Sequence, residues 1–461
     1  MLLAFALSAA LPQLAQAIVP NVFQVTDVYS FDPLEHLAGI APYFDPLDPA
    51  KDPSPPQGCN VTRAAYLVRH AAIYANDFDY EEYIQPFVEK LGNTSVNWSQ
   101  APDLSFLSSW KTPIEDSDQE QLTKVGEIES ERLGIELSQR YPTFRSPQKV
   151  WSSTAERTTR SAQSLIEGLA KQENETSLVE INEGKKEGAN SLTPYQSCPG
   201  YSSSRGSRDA DMTVFGPQAF QKRYTRPIIA RFNAQASGFN FTANDVYGMQ
   251  QLCGYETVVR GSSPFCNLDL FTPDEWLAFE YTNDIMYHHN IGYGNELSGV
   301  IGLPWANATA NLLLANTTDQ DLYVSFTHRE LPPTVLVAMG LFNNSAFTGA
   351  NNVNATMPTD AINYHRSWIS SDILPFLTNI AVEKMVCDSY GYEDNTDGEF
   401  YRVLVNSSPQ PLVGCTDGPA ESCSREGFQQ WLGGRQDTFS GFSQKCGVTY
   451  SNSTDTLSIY S

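Results

Sequence analysis

Four short apolar runs, each of strand length and each ending on polar or charged residues, constrain this chain more than any other feature. Ala64 to Val68 runs into Arg69-His70, and Lys149 to Trp151 into Ser152-Ser153. Leu322 to Phe326 runs into Thr327-His328, and Phe400 to Val405 into Asn406. Runs of this length, with β-branched and aromatic residues, read as buried strands. Helical patterns intervene. Glu156 to Leu169 places Leu165, Ile166 and Leu169 on one side, and Thr334 to Phe342 follows Pro332-Pro333. Strands alternating with helices predict an α/β fold: a mostly parallel central sheet with helices on both faces.

From about residue 186 to 315 the pattern changes to Tyr-, Asn- and Gly-rich segments with broken helices. This predicts a smaller, mainly helical cap domain over 186–315, inserted into a sheet domain assembled from 18–185 and 316–461. A chain of 461 residues is long enough for more than one such unit. Residues 18–58 are rich in Pro and Asp, so backbone donors are scarce and an extended arm over the surface is expected.

Three features point to export. Leu2 to Ala10 is apolar and Ala15-Gln16-Ala17 has the small-x-small form of a cleavage site, so residues 1–17 read as a signal peptide. The eight cysteines, Cys59, Cys198, Cys253, Cys266, Cys387, Cys415, Cys423 and Cys446, contain no CxxC pair. That argues for disulfides rather than zinc or redox chemistry, with roughly 105 pairings open. Eleven N-x-Ser/Thr sequons begin at Asn60, Asn93, Asn97, Asn174, Asn240, Asn307, Asn316, Asn343, Asn354, Asn406 and Asn452. A secreted, extracellular, disulfide-bonded glycoprotein is expected. No later stretch reaches the ~20 apolar residues of a membrane span, and the tail from Asn452 is polar, without a lipid-anchor signal. The formal charge of −24 disfavours nucleic acid and anionic membranes as partners. A small-molecule substrate is left, and nothing in the pattern sets an oligomeric state.

The strand ends carry the chemistry. In open α/β sheets ligands bind beyond the carboxyl ends of the strands, where Arg69-His70 and His328 are expected. Glu330 would share a side with His328 if the chain stays extended. Pro332 is placed to open a helix whose N–H groups could face an anion. Arg157 follows the second strand end. Arg160, His36 and His365 read as surface or structural residues. So does the His288-His289 pair, since adjacent residues rarely share one metal geometry. Lys185-Lys186 reads equally as a pocket border or a solvated turn.

These residues resemble the histidine acid phosphatases, particularly their secreted fungal phytase-like branch, over residues 59–461. The resemblance is carried by Arg69-His70, Ser152-Ser153 through Arg157 to Ile166-Glu167-Gly168, Asn190-Ser191-Leu192 and Gly292-Tyr293-Gly294-Asn295. Phe326-Thr327-His328, Arg402 to Asn406 and Pro411 to Cys415 complete it. It implies a histidine-phosphatase sheet domain with a helical cap, and a phosphomonoester as substrate. His70 would be the nucleophile, Arg69 and Arg157 the phosphate holders, His328 a donor to the phosphate and Glu330 the proton donor. No cofactor or metal is implied. The implied disulfides are Cys59–Cys387, Cys198–Cys446, Cys253–Cys266 and Cys415–Cys423. One departure stands out. The family motif R-H-G-x-R-x-P is here Arg69-His70-Ala71-Ala72-Ile73-Tyr74-Ala75, so Ile73 stands where a second arginine belongs. Arg329 is a candidate to supply the missing charge, although strand alternation would turn it away from His328. An acid phosphomonoesterase weakened at this position is the leading expectation. The alternatives are a pocket turned to isomerase or lyase chemistry on an organic substrate, and a non-catalytic glycoprotein.

Overall fold

An eleven-residue strand, β1 (Cys59–Arg69), forms the centre of the sheet, and its last seven residues are buried. The computed structural model describes residues 31–44, 52–169, 176–201, 216–345, 356–388, 398–451 and 453–460. The expected signal peptide, residues 1–17, and the sequons at Asn174, Asn354 and Asn452 lie outside the described residues. The architecture below is that of the unit Pro33–Ser461.

The other strands are β2 (Lys149–Ser153), β3 (Ser177–Ile181), β4 (Leu322–Thr327), β5 (Asn379–Cys387), β6 (Glu399–Val405), β7 (Ser408–Gln410) and β8 (Cys423–Ser424). The sheet order is β3–β2–β4–β1–β5–β6–β7, with β8 on β6. β1 to β4 run parallel to one another, whereas every pairing from β5 onward is antiparallel. The sheet is therefore mixed, and the difference follows from the connections. The helix Glu156–Leu169 carries the chain from β2 to a parallel β3. β6 instead turns straight into β7 at Asn406 and Ser407, both with positive φ, which only an antiparallel pair allows.

Alternation along β1 feeds two layers. Ala65 and Leu67 join a core with Trp151, Tyr323, Ile380 and Val382. Against it pack the helices Ser298–Leu314, Leu331–Met339 and Arg425–Phe439. Tyr66 faces the other way, where its hydroxyl meets Tyr141 at 2.6 Å, just past the helix Lys124–Arg140. Gly126, in the first turn of that helix, packs directly on the backbone after His70. A Cβ there would lie 2.4 Å from the Ala72 carbonyl oxygen.

The four disulfides are Cys59–Cys387, Cys198–Cys446, Cys253–Cys266 and Cys415–Cys423, the pairs that the family resemblance implies. Among the described residues no helix is long and apolar enough to cross a membrane.

Two sequence expectations are corrected here. The N-terminal arm does not stay on the surface, because Leu37, Ala38, Ile40 and Ala41 are buried. The carbonyl of Gly39 accepts from the buried Arg69, so this stretch fills a hydrogen-bonding need inside the molecule. Farther along, the Pro53 carbonyl accepts from Arg140 and Arg402. Asn406 is no glycosylation site. Its side chain has 0% exposure and is used internally, accepting from Thr378 and Asn379 and donating to the Asp372 carbonyl. Asn60, Asn93, Asn97, Asn240, Asn316 and Asn343 are exposed, and Asn307 is half-buried.

Candidate active site

The parallel register aligns three strand ends. Arg69 of β1 pairs with Thr327 of β4, and Ser152 of β2 with Phe326 of β4. His70 and His328 are thus the first residues beyond two adjacent strands, with ring centroids 5.8 Å apart. The His70 N–H donates to the Thr327 carbonyl at 2.8 Å, which locks the two ends together. A cavity of about 350 Å³ opens there, lined by Arg69, His70, Ile73, Asn76, Asp77, Glu120, Arg157, His328, Arg329 and Glu330.

His70 is buried, and its Nδ1 lies 2.9 Å from the Ala71 carbonyl oxygen. A carbonyl can only accept, so Nδ1 carries the hydrogen and Nε2 keeps its lone pair. Burial first, then the positive Arg69 and Arg157, hold the imidazole well below its ordinary range. His70 is a neutral base with a free lone pair. Arg69 is also buried. Its Nη1 donates to the carbonyls of Gly39 and Leu374, and its guanidinium lies 4.6 Å over the Phe376 ring. Burial, followed by the nearby Arg329, lowers it to about 10.

His328 shows what the sequence analysis missed. Its Nε2 lies 3.1 Å from Glu183 Oε1, and Nδ1 is buried without a partner among the described residues. Glu183 stands two residues beyond β3, whose end aligns with Ser153, so a third parallel strand delivers it to the same edge. Burial works to raise the Glu183 carboxyl, but hydrogen bonds from His328, the Ala155 N–H and Ser153 pull it down to about 2. The available signal was Leu178-Val179-Glu180-Ile181, a strand-like run ending just before an acid.

Beyond His328 the chain does not stay extended. Glu330 has φ −76° and ψ −34° and caps the helix Leu331–Met339, so strand alternation does not apply. Arg329 is consequently not turned away. It lines the cavity together with Glu330, donates from Nη1 to the Tyr287 hydroxyl at 3.2 Å, and lies 3.7 Å from Glu330. The helix start is also a poorer anion site than expected. Pro332 and Pro333 occupy its first turn and have no N–H to offer.

Arg157 lies in the first turn of its helix and lines the cavity. It is paired at 2.6 Å with Glu120, another residue the sequence analysis missed. The loop after His70 brings Glu120 there. Ile73 bridges to Leu122, Tyr74 N–H donates to Gln121, and Glu120 N–H donates to Ala75. Ile73 itself is buried. The remaining singled-out residues lie elsewhere. Arg160 pairs with Glu156 on the helix surface. Lys185, Lys186 and His365 are exposed. His288 is buried against Trp368, and His36 binds Glu280 at 3.0 Å.

Comparison with known proteins identifies the family. The family profile of the histidine phosphatase superfamily (branch 2) matches residues 60–406. A thiamine-repressible acid phosphatase of Schizosaccharomyces pombe is 30% identical over 404 residues, 84% of this chain and 83% of that protein. An acid phosphatase of Komagataella pastoris is 30% identical over 434 residues, covering 90% and 86%. The crystal structure of the phytase from D. castellii superposes with a TM-score of 0.81 at 22% identity, over 97% of this chain and 96% of that one; it shares the fold. The chain belongs to the histidine phosphatase superfamily, branch 2, and within it to the acid phosphatase-like hydrolases.

Proposed function

We propose that the protein is a secreted acid phosphomonoesterase that works through a phosphohistidine on His70, in a sheet domain that carries a helical cap over 186–315. The observation that carries this reading is the Nδ1–H bond from His70 to the Ala71 carbonyl, beside Arg69, Arg157 and His328. It leaves Nε2 as an in-line nucleophile at the bottom of a cationic wall. Arg69 and Arg157 hold the non-bridging oxygens, and His328 Nδ1 donates to one of them while Glu183 anchors the opposite nitrogen. As the Nε2–P bond forms, the P–O bond to the leaving group breaks and Glu330 gives that oxygen its proton. Glu330, now a carboxylate, takes a proton from water. The hydroxide attacks phosphorus, the N–P bond breaks and inorganic phosphate leaves.

Ile73 weakens the site without removing the nucleophile. A charge-assisted hydrogen bond contributes about 1.5–3 kcal/mol, so its loss costs roughly 10–150-fold in rate. The test is hydrolysis of an aryl phosphate by purified protein between acidic and neutral pH, together with trapping of an acid-labile phosphoprotein. Turnover with no trapped phosphohistidine contradicts the mechanism. Complete inertness favours the second reading, isomerase or lyase chemistry in a pocket whose apolar Ile73 is less suited to anions.

A further inference from the structure

We infer that Glu120 is a specificity-determining residue of this crevice, one that disfavours polyanionic phosphate esters and favours monophosphates carrying an ammonium group close to the phosphate. The inference rests on the phosphomonoesterase reading above and names the substrate class that reading leaves open.

The carboxylate of Glu120 is held from several sides. Its backbone has φ +64°, a left-handed conformation that a residue with a side chain adopts only where its surroundings impose it. The Glu120 N–H donates to the Ala75 carbonyl at 2.7 Å. Oε1 accepts from the Asp77 N–H at 3.2 Å, and Oε2 meets Arg157 Nη1 at 2.6 Å. The side chain is about one-third exposed, towards the cavity it lines. A surface glutamate would not need a strained backbone and two anchors to reach an arginine.

Charge then decides what fits. The cavity lining holds three arginines, Arg69, Arg157 and Arg329, and three carboxyl groups, Asp77, Glu120 and Glu330. With Glu330 protonated as the leaving-group acid and Ile73 where the motif places another cation, three arginines face two carboxylates, and Glu120 is the one paired with a phosphate-holding arginine. Arg157 meets Glu120 through Nη1, so a phosphate that takes its other donors sits beside the carboxylate and competes with it for the charge of the guanidinium. An ammonium on the substrate, two carbons beyond the ester oxygen, gives the carboxylate a partner in place of the charge that Arg157 turns to the phosphate. A second phosphate in that place meets a like charge instead.

The test compares kcat/KM for O-phosphoethanolamine, its hydroxyl counterpart 2-hydroxyethyl phosphate, and phytate. Wild type should prefer the ammonium ester over the hydroxyl ester by about fivefold. Glu120→Gln should erase that preference and raise kcat/KM for phytate by about tenfold. Titration of the two small esters into His70→Ala, which turns neither over, reads the same preference as binding and needs no substitution at Glu120. Equal affinity or a hydroxyl preference in that titration overturns the inference, as does an unchanged ratio in folded Glu120→Gln. Hydrolysis that survives His70→Ala would instead overturn the phosphohistidine reading, while the binding preference would still decide the role of Glu120.

Discussion

Two of the buried polar clusters among the described residues are built on opposite rules. In the crevice, Arg69 Nε, Arg157 Nε and His328 Nδ1 are buried without partners among the described residues, and the His70 ring bonds the Ala71 carbonyl through Nδ1. The second cluster joins the N-terminal arm to the helix Pro273–Asn290 and the segment 366–372. There Arg366 donates to Asp284 at 2.5 Å, to Glu280 at 2.7 Å and to the Asn363 carbonyl. Glu280 also binds His36, and Asp284 accepts from the N–H and hydroxyl of Ser370. A network that satisfies itself rigidifies a fold, whereas one that leaves donors and lone pairs open is ready for a ligand. The sequence offers titratable residues to both. Only their partners separate structure from function.

The comparison breaks most readily at His70. His70→Ala should cut turnover about a thousandfold or more while leaving the far-ultraviolet circular dichroism unchanged. If activity survives, the open cluster is not the active site.

Arg366→Ala should do the reverse. It strands Glu280 and Asp284 in a region where the arginine side chain is 4% exposed, which costs about 3–5 kcal/mol of stability. Calorimetry should register the fall in Tm, with residual activity tracking the folded fraction. A variant as stable as wild type would mean that the closed network contributes nothing.

Ile73→Arg sharpens the contrast from the other side. Its guanidinium would add a cation to the open cluster, and kcat/KM for an aryl phosphate should rise about tenfold or more. A fall in activity would show that the buried loop around Ile73 and Leu122 cannot admit the larger side chain.

The smallest effect is in the pH dependence of stability, where the clusters oppose each other. Burial, then the negative neighbours Glu280 and Asp284, raises Asp372 to about 7, and burial raises Asp284 to about 6. A carboxyl held above its unfolded value near ~4 stabilises the fold fully below about pH 4 and loses that contribution as pH rises through 6 to 7. His36 is also raised despite its burial, by Glu280, and acts in the same direction. The crevice acts oppositely. Its depressed His70 contributes above ~6.5 and loses that as pH falls, and Glu183 loses its contribution as pH drops towards 2. Asp372→Asn should therefore flatten the decline in Tm between pH 4 and 7.5, by about a degree or two. An unchanged slope would remove Asp372 from the account.

Much of this was legible in the chain itself. β1, β2, β4 and β6 announce themselves as apolar runs, and Glu156–Leu169 as an amphipathic helix. β5 does not, because Glu383 and Lys384 interrupt it. Both are buried, Glu383 between Arg140 and Arg402 and Lys384 against Glu399. No local pattern predicts that distant partners will neutralise a charge in mid-strand.

The sequence by itself determined which residues end the strands, because side-chain period and strand length are local properties. His70, His328 and the absence of an arginine at position 73 could all be read that way. Only the tertiary structure decided what stands beside them. Glu183 arrives on a third parallel strand, Glu120 on a loop tied to the backbone after His70, and the Gly39 carbonyl from an arm that runs inward. Each contact joins residues far apart in the chain, and their pairing depends on strand order and register. Those are set by the packing of the whole sheet rather than by any stretch of it.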